Sequence, residues 1–177
     1  MRFIVATLAV GLLTGSATRQ QPYAGLQDRA IKTLSEQQIA DLSAGRGMGL
    51  ALAAELNGYP GPTHAIELAD QLQLTADQVK KLRALFEAMK AETIPLGTSL
   101  ISQERQLNDD FAKRTITLAS LQSSTKEIGS TQAALRAARL KYHLSTVEIL
   151  TVEQVARYNQ LRGYKSGQVP THGHRQH

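Results

Sequence analysis

The clearest pattern in the chain is a stripe of apolar positions at alternating spacings of three and four. Val79, Leu82, Phe86, Met89, Thr93, Leu96, Leu100 and Leu107 follow one another in this way. Such spacing lines one side of a helix and makes a narrow seam for packing on another helix. It predicts a single long helix from Thr75 to residue 112, about 57 Å at 1.5 Å per residue. Pro95 lies inside it, where a proline removes one backbone bond and bends the helix. Residues 113–116 (KRTI) read as a turn. A second long helix is predicted over about 117–148, with Leu118, Leu121, Ile128, Leu135, Tyr142 and Ile149 as its apolar set. Shorter helices are predicted over 28–44 (Ile31, Leu34, Ile39 and Leu42 apolar), 48–56, Thr63–Leu72 and 151–163. No strand pattern is present. The predicted fold class is all-α: a long antiparallel helical hairpin with short flanking helices. Two long helices with narrow seams need further burial, from the flanking helices, a second copy of the chain or both. A homodimer is therefore expected.

The ends of the chain read differently. Residues 1–17 (MRFIVATLAVGLLTGSA) have a basic start at Arg2 and an apolar run from Phe3 to Leu13. Gly15 and Ala17 then supply the small residues of a cleavage site. This order is that of a cleavable signal peptide, and the apolar run is too short for a membrane span. The expected location is the periplasm, with no transmembrane segment in the mature chain. Residues 18–62 read as a leader with one amphipathic helix and a Gly/Pro-rich joint. Residues 63–163 read as the hairpin domain, and residues 164–177 as a disordered tail carrying His172, His174 and His177.

Three short segments share one pattern. Leu74-Thr75-Ala76-Asp77-Gln78 precedes the first long helix and Leu150-Thr151-Val152-Glu153-Gln154 the last one. Leu34-Ser35-Glu36-Gln37-Gln38 is a looser copy. A threonine before a helix accepts from free N–H groups of the first turn. A glutamine three residues on reaches back to the threonine's own N–H, completing a capping box. Asp77 and Glu153 add negative charge at the positive helix end.

With its signal peptide, two L-T-x-x-Q boxes and long helices between them, the chain resembles the Spy/CpxP family of periplasmic proteins. Leu74, Thr75, Gln78, Leu150, Thr151 and Gln154 carry the resemblance, which covers residues 63–163. It implies an all-α hairpin that dimerises into a curved cradle. It also implies one of three roles: an ATP-independent folding chaperone or holdase, an inhibitor docking on an envelope-stress sensor kinase, or a divalent-metal sensor or resistance protein. The long leader and Pro95 depart from the family pattern.

The formal charge is +5, with acidic and basic residues interspersed. No basic stripe with aromatic interleaving is present, so nucleic acid is not an expected partner. A chaperone surface mixes apolar patches with basic residues, which suits unfolded chains of net negative charge. The candidates are Lys80, Lys81, Arg83, Lys90, Arg105, Arg136, Arg139 and Lys141, and unfolded or misfolded periplasmic proteins are the expected partners. For metal, His64 and Glu67 stand three apart on one helix face. An antiparallel hairpin returns His143 towards them, so the three are candidate ligands for zinc, nickel or copper. No cofactor is required by this reading.

Catalysis has little to draw on. There is no cysteine, no H-E-x-x-H and no G-x-S-x-G. Gly45, Gly47 and Gly49 do not make a dinucleotide fingerprint, because Leu50 stands where the last glycine belongs, and no Walker lysine follows. The Asp109–Asp110 pair falls near the expected hairpin tip. The chain is therefore read as a non-enzyme.

Overall fold

A computed structural model describes residues 21–164; the signal-peptide segment and the histidine tail lie outside the described residues. Six α-helices follow a 3-10 turn at Leu26–Asp28. They are α1 (Glu36–Ser43), α2 (Leu52–Glu55), α3 (Pro62–Glu67), α4 (Ala76–Ala112), α5 (Leu118–Ile149) and α6 (Val152–Leu161). Among the described residues there is no strand, only an isolated bridge between Ile31 and Leu34. No helix among them is long and apolar enough to cross a membrane.

Helices α4 and α5 pack along each other as the predicted hairpin. The α4 stripe faces inward: Leu82, Met89, Thr93 and Leu100 are buried, and Val79, Phe86, Leu96 and Leu107 are half-buried. The α5 set is buried at Ile128, Leu135 and Tyr142, but Leu118 at the first position of α5 is 72% exposed. α4 runs through Pro95 as one helix, with the proline on its exposed side.

Four of the helices begin with a complete capping box: Ser35/Gln38, Thr75/Gln78, Thr117/Ser120 and Thr151/Gln154. The box at Ser35 corrects the expected start of the first helix. Residues 29–35 are not helical, because Ser35 is extended and caps α1. Ile31 and Leu34, three apart, instead close a tight turn in which the Leu34 N–H donates to the Ile31 carbonyl at 3.2 Å.

The leader shares its core with the hairpin. Ile31, Leu34 and Leu42 pack with Leu100, Ile101, Ile128 and Leu135. Thr33 donates to Glu104 Oε2 at 2.8 Å, tying the leader to α4. The closest approach is at Gly97 of α4, where a Cβ would lie 2.4 Å from the Leu42 carbonyl oxygen. A second core joins the other end, from Ala65, Leu82, Leu150 and Val155.

Across the hairpin, Glu92 of α4 meets Lys141 Nζ at 2.7 Å and accepts from Tyr142 Oη at 3.0 Å. The Lys141 ammonium holds the Glu92 carboxyl below its usual range, burial opposes this, and the Tyr142 bond adds to it. A depressed folded pKa adds stability above the unfolded value, and that stability is lost as pH falls through the folded value. The pair is largely exposed, so Glu92→Gln should lower stability by less than about 1 kcal/mol. Urea unfolding at pH 7 and at pH 3 checks this, with the smaller difference at pH 3.

Candidate functional site

The two L-T-x-x-Q boxes are not separate caps. α4 begins and α6 begins at the same end of the hairpin, and the two glutamines meet there. Gln78 Nε2 donates to Gln154 Oε1 at 2.8 Å, and Gln154 Nε2 donates to Gln78 Oε1 at 3.1 Å. Each Oε1 also accepts from its own cap N–H, Thr75 at 3.0 Å and Thr151 at 2.9 Å. The remaining amide hydrogens go to backbone carbonyls: Gln78 to Ile149 at 2.9 Å and Gln154 to Leu72 at 3.4 Å. Both side-chain amides are thus fully used. Leu150 is buried beside them and Leu74 half-buried. The motif caps two helices and joins them in one hydrogen-bonded plate.

Elsewhere on the hairpin the glycine-rich segment folds back and leaves a cleft of about 540 Å³. Met48, Leu52, Phe86 and Met89 give it an apolar wall, and Arg46, Lys90, Arg139 and Arg162 give it positive charge. Volumes of this size are typical of small-molecule pockets. Gly45 turns the chain here with φ +62°, and its carbonyl accepts from the Arg139 guanidinium.

One wall holds a buried carboxylate. Glu55 is 6% exposed and accepts from Tyr158 Oη, from Tyr164 Oη at 3.2 Å and from the Gly61 N–H at 3.3 Å. Arg162 Nε lies 3.7 Å away. Burial, and then the bond to Glu55, push the Tyr158 hydroxyl far above its ordinary range. Tyr158→Phe should cost about 1–3 kcal/mol, because a buried carboxylate loses a donor. Thermal unfolding checks this; an unchanged midpoint would mean the bond contributes nothing.

Of the candidate metal ligands, His64 and Glu67 meet and His64 and His143 line the same cleft, but the three do not form one cluster. Glu67 Oε2 lies 3.0 Å from His64 Nδ1, with both side chains largely exposed. His143 is 8% exposed, and its Nδ1 lies 2.7 Å from the Tyr59 carbonyl. A carbonyl only accepts, so Nδ1 carries the proton. The Gly/Pro joint, folded back onto α5, thus takes up His143. Among the described residues no group of three or more His, Cys, Asp or Glu side chains is arranged to hold a metal.

The basic candidates divide. Lys80, Lys81, Arg83, Arg105, Arg136 and Lys141 are exposed, with Lys81 paired to Asp77 at 2.7 Å. Lys90 is half-buried, 5.5 Å over the Phe86 ring. Arg139 is not a surface residue: it is 5% exposed, wedged between Met89 and Gly45. The cleft itself has no short-range sequence signal.

The sequence pattern of the LTXXQ motif family matches residues 63–162. The chain belongs to the LTXXQ motif family. This is the Spy/CpxP-type family. The match begins at α3 and ends at α6, so it contains both boxes of the plate. The packed residues 21–62 lie outside the matched LTXXQ region. No curated protein and no solved structure matches the chain.

Proposed function

We propose that this LTXXQ protein is an exported, ATP-independent holdase that keeps non-native periplasmic proteins from aggregating. The observation that carries this reading is that a family scaffold of Spy/CpxP type exposes both large apolar and basic side chains. Leu52 and Leu56 are 54% exposed, Leu144 51% and Val152 58%. Lys80, Arg83, Arg105 and Arg136 are exposed on the same long helices that form the hairpin. Apolar contact holds an unfolded segment weakly, and positive charge raises its local concentration when it is acidic. Export through the signal peptide places this activity in the periplasm, and the exposed apolar positions give a homodimer surface to bury.

The test is light scattering from an aggregating acidic client, such as reduced α-lactalbumin, with the mature chain added and no nucleotide. Suppression at near-equimolar ratio is expected. Replacing Lys80, Arg83, Arg105 and Arg136 together by glutamine should weaken suppression of an acidic client several-fold and make the remaining suppression less sensitive to salt. Scattering that rises as fast with the chain as without it, in the presence and absence of zinc, nickel or copper, would overturn the proposal. Suppression only with added metal would favour the metal-binding role. Activity only beside one sensor-kinase domain would favour the inhibitor role.

A further inference from the structure

The cleft contains an electrostatic imbalance that the fold does not resolve internally. Arg139 is more than nine-tenths buried and lines the cleft. Its polar contacts are the Gly45 carbonyl and Met89 Sδ at 3.6 Å, both uncharged. Its Nε has no acceptor. Among the described residues it has no carboxylate within ion-pair distance, and neither has Lys90 on the same wall. The other two cations are engaged, Arg46 with Asp41 and Arg162 beside Glu55. Glu55, the acidic residue on the cleft wall, already accepts from two tyrosine hydroxyls and one backbone N–H. A buried guanidinium without an anion is costly, and burial pulls its pKa down. A bound anion would offset that cost.

The apolar lining says what else the anion carries. Met48, Leu52, Phe86 and Met89 have no polar partner to offer, and thioethers adapt to irregular apolar ligands. Met48 and Leu52 are 38% and 54% exposed, so a ligand would remove apolar surface from water. A guanidinium holds a carboxylate with two parallel N–H donors, which favours a planar carboxylate over a bare halide.

We propose that this cleft is a binding site for a small amphipathic carboxylate. The carboxylate sits at Arg139 and Lys90, and an alkyl body lies along Phe86, Met89, Met48 and Leu52. The inference does not need the holdase reading: the two share Leu52, but the carboxylate site is set by Arg139 and Lys90 and has its own readout.

The experiment is titration calorimetry of the mature chain with decanoate, decanol and a short apolar peptide with a free C-terminus. Decanoate should bind at one site per chain, at least tenfold tighter than decanol. Lys90→Gln and Phe86→Ala should each weaken decanoate at least fivefold, with helix content by circular dichroism unchanged. Arg139→Gln should weaken it more. If that variant does not fold, the Lys90 and Phe86 variants carry the test, because neither side chain is fully buried. Equal binding of decanoate and decanol, or decanoate affinity unchanged in both Lys90→Gln and Phe86→Ala, would overturn the site. A peptide that binds tighter than decanoate and is displaced from the same site would overturn the assignment to a small carboxylate. Loss of aggregation suppression without loss of decanoate binding would count against the holdase alone.

Discussion

Gly97→Ala should destabilise the protein by about 2 kcal/mol or more, although alanine is the better helix former. A Cβ at this position would lie 2.4 Å from the Leu42 carbonyl oxygen, 2.9 Å from its carbon and 3.2 Å from its Cα. All three are backbone atoms at the end of α1, which cannot swing aside as a side-chain tip can. α1 must move off α4, and Leu42 then loosens from Leu100, Ile101 and Leu135. The gain in helix propensity, about 1 kcal/mol, is smaller than the overpacking cost expected for a backbone clash. Gly129 in α5 is the control. It is exposed, and a Cβ there meets nothing within 4 Å. Gly129→Ala should therefore stabilise by about 0.5–1 kcal/mol. Thermal unfolding of both variants decides the matter. The midpoint should fall by about 5 °C in the first and rise by about 2 °C in the second. A rise in both would mean that α1 is not held against α4 as described.

The second large effect is expected at the joined capping boxes. Gln78→Ala removes the donor to Ile149 and the partner of both Gln154 amide atoms, and leaves the Thr75 N–H uncapped. The loss should be about 2 kcal/mol, since part-buried groups are left unpaired. Gln154→Ala should cost a similar amount. The double variant should cost less than the sum, with a coupling of about 1 kcal/mol, because the first change already breaks the shared bonds. Gln78→Glu separates capping from joining. A carboxylate can still accept from Thr75 and suits a helix N-terminus. It cannot donate to Ile149 or to Gln154. If the glutamate variant keeps wild-type stability in urea unfolding, the motif is only a cap. If it falls with Gln78→Ala, the motif is a joint.

Much of this architecture was legible in the sequence because its signals are local. The α4 stripe and the Thr75 box fix where that helix lies, and the Thr151 box starts α6. Each needs only neighbours within a turn or two. The errors come where a local signal has two meanings. Ile31 and Leu34 have helical spacing, but the same separation fits a buried turn, and Ser35 had already marked the true start. Leu118 reads as part of an apolar seam, yet at the first position of α5 it faces solvent. The site was legible only in part. The boxes were visible, but not that Gln78 finds Gln154 seventy-six residues away. Arg139 read as a surface cation on a long helix. Its burial depends on Gly45, ninety-four residues earlier, folding onto α5. His143 reads as a candidate metal ligand, and nothing near it in sequence shows that Tyr59 would reach its ring.

The proposed role as a binder of non-native chains is tested most directly by equilibrium binding to a permanently unfolded protein. Fluorescence anisotropy with labelled, reduced and carboxymethylated α-lactalbumin, without nucleotide or metal, should give micromolar affinity that weakens with salt. Native α-lactalbumin should bind at least tenfold more weakly. Equal affinity for the native and unfolded forms, or no binding to either at tens of micromolar, would contradict the assignment.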